Sequence, residues 1–184
     1  KLPDLSKPLH EGGYGIYYHF DYVGGPRNSK WINISPIQRV WEQMNLSYEH
    51  KVDKLWVVNV GDLKPMEFPI SFFLEMAWNP KQFNAKNLLE YTEKWAAQQF
   101  GEKHAKEIAR MINLYAKYNR RVTPETLDSK TYSLENYHEF ETVLNDYRAL
   151  AVEALRLKEQ IPAEYQDAYY QLVLYPIDAC SNLY

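Results

Sequence analysis

The run Leu55-Trp-Val-Val-Asn-Val60 constrains this chain more than any other segment. It is apolar at nearly every position, so it lacks the in-out alternation of a half-exposed strand and reads as a parallel strand covered on both faces. A parallel strand needs a partner reached through a crossover of a dozen or more residues. Residues 15–22, Gly15-Ile-Tyr-Tyr-His-Phe-Asp-Tyr22, supply it: they are aromatic and β-branched, with Gly12-Gly13 before them and Gly24-Gly25-Pro26 after. Between the two strands, Ser35 is placed as an N-cap, Pro36 as the first helical residue and Gln38 as the closing member of a capping box. The helix is expected to run to about His50 with Ile37, Val40, Trp41, Met44 and Tyr48 on one stripe. A further helix over roughly residues 70–78 should cover the second strand, and Asn79-Pro80 should end it. Two strands cannot bury both faces of a parallel sheet, so this βαβ unit is expected to belong to a larger sheet or barrel.

From about residue 84 the strand signal disappears. Helical spacing continues through Leu88, Tyr91 and Trp95, then through Ala105, Ile108, Ala109, Ile112 and Tyr115, with Gly101 parting the two helices. A loop rich in Thr, Pro, Asp and Ser covers residues 122–132, and Ser133 is placed to cap a long helix through Tyr137, Phe140, Leu144, Tyr147, Ala151 and Ala154. Pro162 should open the last helix, and Pro176 should kink it. The fold class is therefore α/β followed by all-α, mostly helical overall, with residues 1–83 forming a partial α/β domain and residues 84–184 a helical bundle. The chain ends at Tyr184 without a glycine, basic turn or polar tail, which reads as a truncation.

Composition removes several classes of function. Lys and Arg number 21 against 24 Asp and Glu, a net charge of −3 with no run of like charges, which gives no basic field for a phosphate backbone and argues against nucleic acid as a partner. Apolar runs such as Leu55 to Val58 fall far short of the roughly 18 residues of a membrane span, and no secretion-signal layout precedes them. A single Cys180 excludes an internal disulfide framework and any multi-thiolate zinc site. The histidines at 10, 19, 50, 104 and 138 show no paired spacing, so a metal could be held only by long-range convergence, and no metal or other cofactor is assigned.

In parallel α/β folds ligands sit at the carboxyl ends of the strands. The residues there are His19, Asp21, Tyr22 and the loop to Lys30 after the first strand, and Asn59, Gly61, Asp62 and Lys64 after the second. Each has a bland reading beside the functional one. His19 can be a core histidine bonded to a carbonyl, Asp21 can tie down the Gly24-Gly25 turn, and Tyr22 can be packing. Asp62 and Lys64 can be a turn and a solvated face, and Arg27 an ordinary surface contact. Asn59 is the oddest residue, because an unpaired buried amide costs about 1–3 kcal/mol and the strand around it is otherwise apolar. The aromatic density at Tyr14, Tyr17, Tyr18, Phe20, Tyr22 and Trp31 would suit a stacked sugar ring but equally a thick core.

Three segments, Tyr17-Tyr-His-Phe-Asp-Tyr-Val-Gly-Gly-Pro-Arg27, Ile37-Gln-Arg-Val-Trp-Glu-Gln-Met-Asn45 and Leu55-Trp-Val-Val-Asn-Val-Gly-Asp-Leu-Lys-Pro-Met-Glu-Phe-Pro69, resemble the family 115 glycoside hydrolases, the xylan α-1,2-glucuronidases. The resemblance continues through Trp78-Asn-Pro80, Gln99-Phe-Gly101, Tyr132-Ser133 and Tyr170-Gln-Leu-Val-Leu-Tyr-Pro176. It implies the last two βα units of a (β/α)8 barrel followed by most of a helical bundle. It also implies removal of glucuronic acid, often 4-O-methylated, from glucuronoxylan or its oligosaccharides with inversion. His19, Tyr22 and Asn59 match substrate-contacting residues of the family, whereas the acid and base lie on barrel strands preceding this segment. Asp21 and Asp62 therefore receive no catalytic role, and the isolated segment is expected to be inactive. The remainder of the same polypeptide is its expected partner, the resemblance places it in a secreted or periplasmic protein, and a homodimer of the intact enzyme stays open. The competing class is a noncatalytic helical interaction or carbohydrate-binding module, which would have no need of His19, Tyr22 and Asn59 at strand ends.

Overall fold

The computed structural model describes residues 2–21 and 30–184. Strand β1, Gly15–His19, and strand β2, Leu55–Asn59, lie side by side and parallel, with Gly15 opposite Leu55, Tyr17 opposite Val57 and His19 opposite Asn59. Helix α1, Ile37–Glu49, makes the crossover, and helix α2, Glu67–Trp78, follows β2. Ile16, Tyr18, Trp56 and Val58 pack toward the helices. Phe73 of α2 lies beneath them, its ring 6.0 Å from Trp56 and 6.5 Å from Tyr18.

The other face of the pair is open. Tyr17 is 61% and Leu55 62% exposed, so the expectation that β2 is covered on both sides fails within this chain. Among the described residues helices lie behind the pair only, and the apolar run that suggested two-sided burial presents Leu55 and Val57 outward. Both strands also stop short of their expected ends, at His19 and Asn59.

The capping box does not form. Asn33 Oδ1 takes the Ser35 amide at 2.8 Å, α1 begins at Ile37, and Gln38 donates from its side-chain amide to Asn113 Oδ1 at 3.3 Å instead of folding back on the helix. Helix α2 starts three residues before the expected position, because Pro69 falls in its first turn, where an absent N–H is no loss. Its Phe68, Phe72, Phe73 and Met76 are all buried.

Helices α3, Leu88–Phe100, and α4, Ala105–Arg121, are parted at Gly101, whose φ of +81° is a left-handed setting that favours glycine. Helix α5, Glu139–Lys158, begins six residues after Ser133. The Ser133 hydroxyl accepts instead from the amides of Glu135 and Asn136, closing a local turn, and left-handed Tyr137 and His138 lead into the helix. Beyond Pro162 the chain forms α6, Gln166–Tyr169, a π turn over Tyr170–Leu174 and α7, Tyr175–Ser181. Pro176 would collide with the carbonyl four residues back in a regular α-helix, and the turn just before it is the widened π turn over Tyr170–Leu174.

One apolar core runs without interruption from Phe20, Val40 and Phe72 through Trp95 and Ile112 to Leu150, Tyr169 and Ile177. A smaller cluster joins Ile32 to Val143, Tyr147 and Cys180. It is held by a polar thread: the Asn33 amide donates to Tyr115 Oη at 3.0 Å, and Tyr147 Oη donates to Asn119 Oδ1 at 2.8 Å. Trp31 Nε1 donates to Glu125 Oε1 at 2.6 Å. Burial drives the Cys180 thiol up to about 12, against the opposing pull of its hydrogen bond with Asn119, and pushes the Tyr115 and Tyr147 hydroxyls well above the ordinary phenol value. Among the described residues, no helix is long and apolar enough to cross a membrane.

Candidate functional site

The carboxyl ends of β1 and β2 bring two of the candidate residues into register. His19 and Asn59 are directly paired across the strands, and alternation places them on the open face with Tyr17 and Val57. Both are half-buried. The His19 ring lies 4.4 Å from that of Tyr17, and its Nδ1 faces the Asp21 carbonyl oxygen at 3.4 Å. A carbonyl can only accept, so Nδ1 carries a proton in this contact, and Nε2 is the acceptor of the neutral ring or a second donor of the charged one.

The two hydrogen-bonding atoms of the Asn59 amide are used differently. Oδ1 accepts the Gly61 amide at 3.0 Å, a bond that folds the chain tightly just beyond β2. Nδ2 has no hydrogen-bond partner among the described residues and belongs to the open face. Gly61 takes this turn at φ +74°, and a Cβ there would lie 3.1 Å from Asp21 Cβ and 3.3 Å from Lys30 Cγ. The Asn59 carbonyl oxygen also accepts the Phe20 amide at 2.9 Å, tying the end of one strand to the end of the other.

Tyr22 and Arg27 lie outside the described residues, as does the Gly24-Gly25 turn named in one of the two readings of Asp21. Asp62 is exposed, in keeping with a turn. Lys64 is not merely solvated: its Nζ donates to Gln171 Oε1 at 3.0 Å, and Gln171 Nε2 donates to Glu67 Oε1 at 2.7 Å. The π turn of the helical half thus grips the segment that follows β2. Nothing in the sequence around Gln171 signals this contact, because its partners are more than a hundred residues away. Asp21 is the other residue whose place was not anticipated. It is 5% exposed, the only buried carboxylate among the described residues.

Among the described residues no group of three or more His, Cys, Asp or Glu could hold a metal ion. Away from the strand ends, a groove of about 570 Å³ along α3 and α4 is lined by Glu90, Lys94, Lys103, Lys106 and Glu107, whose mixed charges favour no ligand of one sign.

Parallel strands backed by helices define an α/β unit, and His19 and Asn59 are paired at the carboxyl ends, where folds of that class bind their ligands. The comparisons then narrow the class. The model of glycosyl hydrolase family 115 matches residues 1–126, and the chain belongs to that family. A solved structure similar to it is that of BtGH115A, described as a family GH115 4-O-methyl-α-glucuronidase with specificity for decorated arabinogalactans. The two share 27% identity and superpose with a TM-score of 0.84 over 99% of this chain and 26% of the other, so the chain spans about a quarter of that protein. No curated protein matches the chain.

Proposed function

We propose that this chain is the portion of an α-glucuronidase that supplies one wall of the uronate pocket, with His19, Tyr22 and Asn59 as substrate-binding residues and the catalytic acid and base on strands contributed by residues outside it. The observation that carries this reading is the registered pair of His19 and Asn59 on the open face. A carboxylate ligand needs donors, and Asn59 Nδ2 would provide one beside the His19 ring. Further strands would extend the pair at both edges and cover the open face, giving residues 1–83 the role of the last two βα units of a (β/α)8 barrel and residues 84–184 that of the helical bundle behind it.

The substrate is a polysaccharide side chain ending in glucuronic acid or its 4-O-methyl ether, on glucuronoxylan or on a decorated arabinogalactan of the kind named for BtGH115A. On the family resemblance alone, we propose a secreted or periplasmic compartment. Hydrolysis with inversion requires two carboxylates about 6.5–9.5 Å apart flanking the glycosidic bond. Asp21 is buried and Asp62 exposed, a poor match for such a pair facing one substrate.

Assays of released uronic acid on both polymers test the proposal, with proton NMR of the first-formed anomer reporting inversion. The intact polypeptide should release glucuronic acid, and the isolated 184-residue chain should release none. An inactive intact protein would overturn the activity. An active isolated chain would overturn the exclusion of the acid and base and redirect attention to Asp21, Asp62 and Glu67.

A further inference from the structure

Of the acidic residues in the chain, one is buried as a whole side chain, at the strand ends, while Glu67 has only its Oε2 shielded in the same way. Asp21 is 5% exposed, and its Oδ2 is shielded from solvent without a hydrogen-bond partner among the described residues. Burying a carboxylate whose oxygens are not all bonded is costly. Folds tolerate such violations of their own rules mainly where a site needs them.

The surroundings of Asp21 indicate what the need is. Its side chain backs Gly61, where an added Cβ would come within 3.1 Å of Asp21 Cβ and 3.3 Å of Oδ2. Gly61 is the residue whose amide donates to Asn59 Oδ1 at 3.0 Å and so fixes one end of that side-chain amide. The Asp21 carbonyl oxygen faces His19 Nδ1 at 3.4 Å, and its amide approaches the Asn59 carbonyl at 3.5 Å. One residue therefore touches both halves of the registered pair, one through its backbone and the other through the glycine it supports.

We infer that Asp21 is a positioning residue, a buried strand-end carboxylate that orients the Asn59 amide through Gly61 and the His19 imidazole through its own carbonyl. This rests on the reading of the strand ends as a uronate pocket, but its structural core does not. Side-chain bulk at position 21 keeps the Gly61 turn closed, and the turn keeps the amide from rotating. Asp21 itself need not touch the sugar.

The test uses the intact polypeptide and two substitutions, with one readout that depends on activity and one that does not. Asp21→Ala keeps the Cβ but removes the carboxylate that lies behind Gly61. Crystal structures of this variant should show Asn59 Oδ1 out of hydrogen-bond reach of the Gly61 amide. On glucuronoxylan oligosaccharides, kcat/KM should fall about 10- to 100-fold, the scale of a misplacement near 1 Å. The loss should include a raised KM, which a smaller folded fraction alone would not produce. Asp21→Asn keeps the bulk, so the Asn59 contact should survive and kcat/KM should stay within about threefold of the natural protein.

Retention of both the Asn59 contact and kcat/KM in Asp21→Ala would overturn the inference. A loss of more than tenfold in Asp21→Asn with the contact intact would also overturn it, since the charge itself would then be acting on the reaction. If Asp21→Ala does not fold, Asp21→Ser, which also removes the carboxylate, takes its place, and retention of both the contact and kcat/KM in that variant would likewise overturn the inference. If the natural protein releases no uronic acid, the glucuronidase reading fails while the crystallographic comparison still judges the role of Asp21.

Discussion

Replacing Asn59 separates the two tasks assigned to its amide. Asn59→Ala removes both. Its structural cost is the bond from the Gly61 amide, 3.0 Å long in a half-buried turn that water can reach, so stability should fall by about 1 kcal/mol. Its functional cost is the Nδ2 donor to the substrate carboxylate. A charge-assisted bond that strengthens in the transition state is worth about 2–4 kcal/mol, or roughly 30- to 1,000-fold in kcat/KM. Asn59→Asp keeps an acceptor for Gly61 and replaces the donor by a second anionic oxygen. Stability should then stay near that of the natural protein. Two like charges about 4 Å apart repel by about 4 kcal/mol at an effective dielectric constant of 20, so activity should fall at least as far as in Asn59→Ala. The assay is thermal unfolding and steady-state kinetics on the same preparations of the intact polypeptide. Alanine should be the less stable variant and aspartate no more active. An aspartate variant with near-natural kcat/KM would show that Nδ2 meets no carboxylate, and the uronate-binding assignment would fall.

Three further outcomes are expected. Tyr147→Phe strands the buried Asn119 Oδ1 that accepts its hydroxyl at 2.8 Å, so urea unfolding should show a loss of about 1–3 kcal/mol. Gln171→Ala releases Glu67 and Lys64 together and should cost about 1–2 kcal/mol in the same measurement, with most of the loss recovered by Gln171→Glu at a pH where that carboxyl is protonated. Alkaline titration should destabilise the fold from about pH 9 upward. The thiol of Cys180 ionises near 9.0 in the unfolded chain but near 12 in the native one, so its contribution is complete below the first value and is lost as pH rises toward the second, at about 1.4 kcal/mol per unit. Cys180→Ala should flatten part of that slope in a pH series of melting temperatures.

Element types were readable from local pattern because local pattern causes them. The parallel pair, its crossover helix and the break at Gly101 follow from punctuation and period within a few residues. What local reading missed was settled at a distance. Ser35 loses its capping role because Asn33 captures its amide, and Asn33 is held in place by Tyr115, 82 residues away. The open face of β2 was unreadable because an apolar strand looks the same whether its second covering layer is in the chain or not. His19 and Asn59 could be picked out as polar residues in apolar strands, but their register had to come from the pairing itself. The burial of Asp21 was hidden for the same reason, since the glycine that receives it lies forty residues further along.

The pinning of residues 31–33 to the helical half has a consequence for the order of folding. β1 and β2 close a segment of about forty residues, whereas Trp31 and Asn33 find Glu125 and Tyr115 across separations of 94 and 82. Contacts that close longer loops pay more entropy before they return any stabilisation, and here the partners exist only once α4 has formed and docked. The strand ends should therefore acquire their pairing early and their walls late. During refolding, amide protection in β1 and β2 should precede protection at Ile32 and Asn33, and substrate binding should follow the slower of the two.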